Sequence, residues 1–184
     1  SEKPYLRTGV LELAKNRITW LLILMFTSIL SGAILMDYRE AIQVLPLLLS
    51  FVPMLMDTSG NCGNQSSTMV IRGMAVGDIE LKDVLRVVWK EFRVGLLCGA
   101  VLAAANFIRL ILQYPDRQAL NLVIVLSLML AIVLAKIIGC VLPMLAEKMK
   151  LDPAIMAAPL ITTIVDASSL LIYFKIASML LHLS

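Results

Sequence analysis

The stretch AAPLITTIVDASSLLIYF, residues 157–174, decides the fold. It is an apolar run of the kind that crosses a lipid bilayer as a helix, and its single acidic residue is Asp166. A charged side chain at the middle of a membrane costs roughly 2.5–3.5 kcal/mol even on mild insertion scales. Such a residue is therefore kept beside a polar partner, a water-filled cavity or an ion. Asp166 is accordingly the first candidate for a functional site.

The composition predicts an all-α integral membrane protein. Hydrophobic residues make up 60% of the 184 residues and charged residues 16%, whereas a soluble domain is about 45–50% apolar and about 25% charged. The apolar blocks are too many and too internal for a signal peptide. No nucleophile–base pair or catalytic metal motif is visible, so we expect neither an enzyme nor a nucleic-acid partner.

The apolar blocks predict a lead-in segment followed by five spans. Residues 1–17 place apolar side chains at helical spacing opposite charged ones, which predicts a helix lying on the membrane surface. Residues 18–184 are predicted to form one transmembrane domain, since a span needs about 20 apolar residues. The approximate spans are 18–36, 41–71, 94–112, 120–145 and 154–183.

The basic residues predict a cytoplasmic N-terminus and a C-terminus outside the cell membrane. With this orientation the outside segments hold only Arg39 and Arg117, with Arg109 close to that face, and positive charge is concentrated inside. The basic residues of the inside segments are Lys3, Arg7, Lys15, Arg17, Arg72, Lys82, Arg86, Lys90, Arg93, Lys148 and Lys150.

A polar run, DTSGNCGNQSST at residues 57–68, interrupts the second span. Its glycines loosen a helix, and its amide side chains need partners. A helix that enters near residue 41 reaches residue 57 after roughly 24 Å of a core about 30 Å thick. We therefore expect a helix break at membrane depth, where irregular backbone must be buried in protein or line an aqueous cavity. The alternative is that the span ends at Met56 and an ordinary cytoplasmic loop follows.

The surroundings of Asp166 favour a hard cation. Thr162 shares its helix face, and Pro159 frees a carbonyl of the preceding turn. Oxygen groups without sulfur or histidine suit Mg²⁺, which keeps several waters and needs one or two carboxylates. Asn61 and Asn64 could complete such a site, although counting along the helices leaves Asp166 and Asn61 up to about 10 Å apart in depth.

Two further points about Asp166 stay open at this stage. Its carboxylate could instead form a structural ion pair with Lys136 or Lys175, or carry a proton. One carboxylate per chain is little for a doubly charged ion, so we expect a homodimer with the pore on its two-fold axis.

Two motifs carry a resemblance to a known family. Residues 56–73, MDTSGNCGNQSSTMVIRG, closely resemble the second-span signature of the MgtE magnesium channel family. Residues 152–174 resemble its fifth-span signature, and residues 4–7 resemble the approach to its first span. The resemblance covers the whole chain.

The resemblance implies a homodimeric, magnesium-selective channel with five spans per subunit and a pore lined by the second and fifth. Asp166 of both subunits would hold a largely hydrated Mg²⁺, helped by the backbone oxygen of Thr162. The implied ion-binding residues are Asp166, Thr162, Gly60, Asn61, Gly63 and Asn64. The alternatives are a secondary-active exchanger of Mg²⁺ against H⁺ or Na⁺, and a membrane assembly module without transport.

The resemblance also implies cytoplasmic regulatory domains before the spans, an acidic helical domain and paired CBS modules, which bind Mg²⁺ and close the pore. This chain starts just before the first span. We expect a piece of a longer protein rather than a natural short form, since Ser1 is not a natural start.

Overall fold

A computed structural model describes residues 4–183, apart from the side chains of residues 155–157. All regular structure in this part of the chain is helical, as the composition predicted. Single 3₁₀ turns occupy Tyr5–Arg7 and Leu81–Asp83. The α-helices are α1 (Val10–Asp37), α2 (Arg39–Val44), α3 (Leu48–Ala75), α4 (Val84–Gln113), α5 (Gln118–Lys148) and α6 (Pro153–Leu180).

Helix α5 lies at the centre of the bundle and packs against α3, α4 and α6, whereas α1 packs mainly against α6. Small residues bring the helices together, as in other membrane bundles. Gly95 of α4 is buried against the backbone of Val133 in α5, and Gly99 against Met129. The core between α3, α5 and α6 includes the fully buried Ile132.

Within the described residues, four helices are long and apolar enough to cross a membrane. They are Val10–Asp37, Leu81–Gln113, Gln118–Lys148 and Ala158–Leu180, and they contain most of the first, third, fourth and fifth predicted spans. Helix α3 has the same 28-residue length as α1. It is not among the four because its polar residues lower its hydropathy. The second predicted span is therefore long enough to cross a membrane, but its composition does not support it.

The predicted boundary at residue 17 does not separate two helices. Residues 10–17 form the first turns of α1 and continue into the apolar part of the same helix. After Gly9 the sequence contains no proline or glycine until Gly32. Since extending a helix is easier than starting one, the charged turns and the apolar turns form a single helix.

The helix break predicted at residues 57–68 is wrong, and so is the alternative of a loop after Met56. Helix α3 is unbroken from Leu48 to Ala75. The interruption lies earlier, at residues 45–47, where Pro46 lacks a backbone donor and separates α2 from α3. A glycine in a helix costs about 1 kcal/mol relative to alanine. Packing outweighs that cost because Gly63 lies directly against Gly139 of α5.

Candidate cation site

A cavity of about 670 Å³ lies between α3 and α6. It is the place where the polar run of α3 meets the acidic residue of α6. Its lining residues are Pro53, Met54, Met56, Asp57, Gly60, Asn61, Asn64, Thr162 and Asp166.

The lining polar residues of α3 share one face because the helix is continuous. Asp57, Asn61 and Asn64 are spaced i, i+4 and i+7, which places them one above another on a helix. Asp57 and Asn61 are exposed in the single chain, and Asn64 is half-buried. The continuous helix thus turns a run that looked like a loop into a polar stripe.

The register between α3 and α6 places Asp166 beside this stripe. The Ser59 and Ser169 hydroxyls are 2.8 Å apart, and Gly63 packs against Val165. From one contact to the other, α3 advances four residues while α6 goes back four, as antiparallel helices of equal rise must. By that register Asp166 lies within one residue, about 1.5 Å, of the level of Asn61. The depth gap of up to about 10 Å expected from the sequence is therefore absent, because the contacts between α3 and α6 set the relative level of these residues.

Most of the predicted ion-binding residues meet in the cavity. Those that line it are Asp166, Thr162, Gly60, Asn61 and Asn64. Gly63 is buried on the other side of α3, where an added Cβ would touch Ile161 and Val165. The Thr162 hydroxyl donates a hydrogen bond of 3.0 Å to the carbonyl of Ala158.

Asp57 is the lining residue that the sequence reasoning did not select. Its carboxylate interacts electrostatically with that of Asp166, so one chain brings two acids to the cavity. The expectation of a single carboxylate per chain is therefore wrong. The sequence feature that could have identified Asp57 is its helical spacing to Asn61 and Asn64. That spacing has no meaning if the helix breaks at residues 57–68, as we predicted, so Asp57 was not selected.

The cavity offers mainly oxygen ligands. The side-chain oxygen of Asn64 is buried and has no hydrogen-bond partner within the described residues. A buried amide oxygen without a partner costs about 1–3 kcal/mol, so a water or a cation beside it would be stabilised. The lining is not free of sulfur, as Met54 and Met56 belong to it. A thioether is a soft ligand that does not compete for Mg²⁺.

The cavity is large enough for an ion that keeps its water. Six waters, at about 30 Å³ each, occupy roughly 180 Å³, which is well below the cavity volume of about 670 Å³. In the described part of the chain, no group of three or more His, Cys, Asp or Glu side chains could hold a metal directly. Two carboxylates with amide and hydroxyl groups around a hydrated ion are the pattern of a Mg²⁺ site.

The alternative partners of Asp166 lie elsewhere. The Lys136 amine donates to the Gln65 side chain over 3.2 Å and to the Ser66 hydroxyl over 3.4 Å. Lys175 is exposed. Across the part of the chain that the structure describes, no ion pair within 4 Å joins Asp166 to either lysine, so the structural ion pair is not supported.

Comparison with known families decides where the chain belongs. Residues 52–176 match the MgtE family, whose description is divalent cation transporter. The chain belongs to the MgtE family. The matched residues include every lining residue of the cavity.

Relatives in the MgtE family cover almost the whole chain. The magnesium transporter MgtE of Thermus thermophilus is 38% identical over 97% of the chain, and that of Bacillus subtilis is 36% identical over 92%. The magnesium transporter MgtE of Enterococcus faecalis is 32% identical over 94%. The matches comprise 39%, 37% and 38% of these relatives, so the chain spans about two fifths of their length.

Proposed function

We propose that the chain is the pore domain of a magnesium-selective channel, in which Mg²⁺ moves passively down its electrochemical gradient. The observation that carries the proposal is the cavity between α3 and α6, where the carboxylates of Asp57 and Asp166 lie with the amides of Asn61 and Asn64. These groups suit a hydrated hard cation. Asp166 would hold the hydrated ion, and Thr162 would supply further oxygen.

The exposed polar face supports a homodimer. Asp57, Asn61 and Thr162 are exposed in the single chain, and at membrane depth such groups must face protein or water rather than lipid. A second copy related by a two-fold axis would cover them and bring an equivalent set of ligands to the opposite side. Helix α3 would then be the second of five spans in each subunit, with its polar face along the pore.

The same proposal places the chain in the cell membrane with the N-terminus in the cytoplasm and the C-terminus outside. The concentration of basic residues in the predicted inside segments supports this orientation. The matched relatives are more than twice as long as the chain. We expect the cytoplasmic regulatory domains implied by the family resemblance to act on the same pore in a full-length protein.

Asp166→Asn tests the function. The chain is reconstituted in liposomes that enclose a Mg²⁺-sensitive dye, and influx is driven by a membrane potential. Removing the charge should slow Mg²⁺ influx at least about tenfold, because the loss of roughly 1.4 kcal/mol of cation stabilisation corresponds to that factor. Asp116→Asn is the matched control, since Asp116 lies in the turn between α4 and α5. Equal influx through both variants would contradict the proposed role of Asp166, and no influx through the unsubstituted chain would favour the assembly module.

A secondary-active exchanger is the second candidate, and one observation favours it. Two neighbouring carboxylates in a cavity, Asp57 and Asp166, can hold a proton as well as a cation. The same liposomes distinguish the two functions. A channel passes Mg²⁺ current without a counter-ion, whereas an exchanger moves H⁺ or Na⁺ outward in a fixed ratio to Mg²⁺.

A further inference from the structure

Helix α5 carries a buried lysine that the proposed pore does not use. Lys136 is 2% exposed, although a lysine at membrane depth is costly unless it is paired. Its amine donates to the side-chain oxygen of Gln65 over 3.2 Å and to the hydroxyl of Ser66 over 3.4 Å, both on α3. Two neutral acceptors on one helix therefore bind this cationic side chain.

The hydrogen bonds continue to a third helix. The Ser66 hydroxyl donates to the carboxylate of Glu91 on α4 over 2.5 Å. Lys136, Gln65, Ser66 and Glu91 together form what we call the Lys136 network. It joins α3, α4 and α5, and the Glu91 carboxylate offsets the lysine charge through the serine that both of them contact.

The Lys136 network bonds to Ser66 on the side of α3 opposite the cation site. At about 100° per residue, Ser66 is turned roughly 180° around the helix from Asp57. Gln65 directly follows Asn64 and lies four residues after Asn61, so it borders the cavity face. A rotation of α3 that moved Asp57 or the asparagines away from the cavity would pull Ser66 and Gln65 away from Lys136.

We infer that Lys136 is a positioning residue for the cation site, because its bonds to Gln65 and Ser66 fix the rotation of α3 that points Asp57, Asn61 and Asn64 into the cavity. This inference rests on the proposed function. The inference predicts that removing the Lys136 charge weakens Mg²⁺ binding, which is the opposite of what simple electrostatics predicts. A positive charge near the path repels a cation, so removing it without a positioning effect should tighten Mg²⁺ binding.

The test is Lys136→Met in the full 184-residue chain, purified in lipid nanodiscs, with Mg²⁺ binding measured by calorimetry. The dissociation constant should rise about tenfold, the lower end of what the loss of an outer partner costs a metal site. The unfolding temperature should fall, because removing the lysine leaves the Glu91 carboxylate without its buried cationic partner. A purely structural lysine would lower the unfolding temperature in the same way but would leave the Mg²⁺ affinity of the folded protein unchanged, so the affinity is the deciding measurement.

Two further variants complete the test. Ser127→Ala is the control, as Ser127 is buried in α5 and its hydroxyl has no hydrogen-bond partner in the described structure. It should change neither affinity nor stability. Ser66→Ala should also weaken Mg²⁺ binding, but less than Lys136→Met does, because the bond from Lys136 to Gln65 remains. The double variant should bind Mg²⁺ no more weakly than Lys136→Met alone, since both substitutions act through Lys136.

The outcomes separate the two proposals. Unchanged or tighter Mg²⁺ binding in Lys136→Met and Ser66→Ala would overturn the positioning role while leaving the cation site intact. Absence of Mg²⁺ binding in the unsubstituted chain would overturn the proposed function itself. If Lys136→Met does not fold, Ser66→Ala alone decides, since it removes only one hydroxyl.

Discussion

The two faces of helix α3 both carry polar residues, but one face packs within the bundle and the other lines the cavity. The face toward α5 and α6 carries Ser59, Gly63 and Ser66, and the face toward the cavity carries Asp57 and Asn61. On the first face the serine hydroxyls bond to Ser169 and Glu91. On the second the polar groups are exposed in the single chain or, at Asn64, buried without a partner. Polar residues with partners inside the chain stabilise the bundle, whereas those without partners indicate where an ion, water or second copy binds.

The largest expected effect on stability is that of Gly139→Ala in α5, which packs against Gly63 on the first face of α3. An added Cβ would overlap the carbonyl oxygen of Gly63, so the backbone of α3 would have to move away from α5. Overpacking of this kind costs about 1–3 kcal/mol. Thermal unfolding in detergent should show the loss of stability, and Mg²⁺ influx should fall in proportion to the folded protein that remains.

The matched control for this prediction is Gly60→Ala on the cavity face. An added Cβ there meets no atom within 4 Å. The unfolding temperature should stay the same or rise slightly, since alanine favours a helix over glycine by about 1 kcal/mol. Mg²⁺ influx should fall because the methyl group narrows the cavity. If both glycine variants lost stability equally, the two faces of α3 would not differ as described.

The second largest effect is expected for Asp57→Asn, and it concerns Mg²⁺ influx rather than stability. The substitution removes one of the two carboxylates of the cavity, so Mg²⁺ influx should fall about tenfold, equivalent to about 1.4 kcal/mol. The unfolding temperature should not fall, because the side chain is exposed in the single chain. Asp57→Glu, which keeps the charge, should retain more influx than Asp57→Asn. Full influx through Asp57→Asn would mean that Asp166 acts without it.

The smallest effect is at Ser59→Ala. The variant loses the 2.8 Å hydrogen bond between α3 and α6, which should lower the free energy of unfolding by about 1 kcal/mol. The Mg²⁺ dependence of influx should not change, because this hydroxyl faces away from the cavity. A shift in the half-saturating Mg²⁺ concentration would show that the packed face also sets the ion affinity.

The sequence predicted the helical fold class and several residues that line the cavity for physical reasons that do not need tertiary contacts. Long apolar runs can only be membrane helices or a buried core, and an isolated acid such as Asp166 in one of them is too costly to be incidental. The prediction failed at residues 57–68, where glycine and amide residues were interpreted as a helix break. Local propensity disfavours a helix there, but the weak preference of about 1 kcal/mol per glycine is smaller than the gain from packing on α5.

By itself the sequence determined that this is a helical membrane protein, and it predicted a functional carboxylate at residue 166. It also supplied two motifs of the MgtE family, and the family match confirmed that membership. Only the tertiary structure decided that α3 is continuous, that Asp57 joins Asp166, and that Gly63 packs rather than lines the cavity. The reason is that a side chain's direction depends on helix continuity and on the register between helices. Both are set by contacts between residues far apart in the chain, such as Ser59 with Ser169 and Gly63 with Gly139.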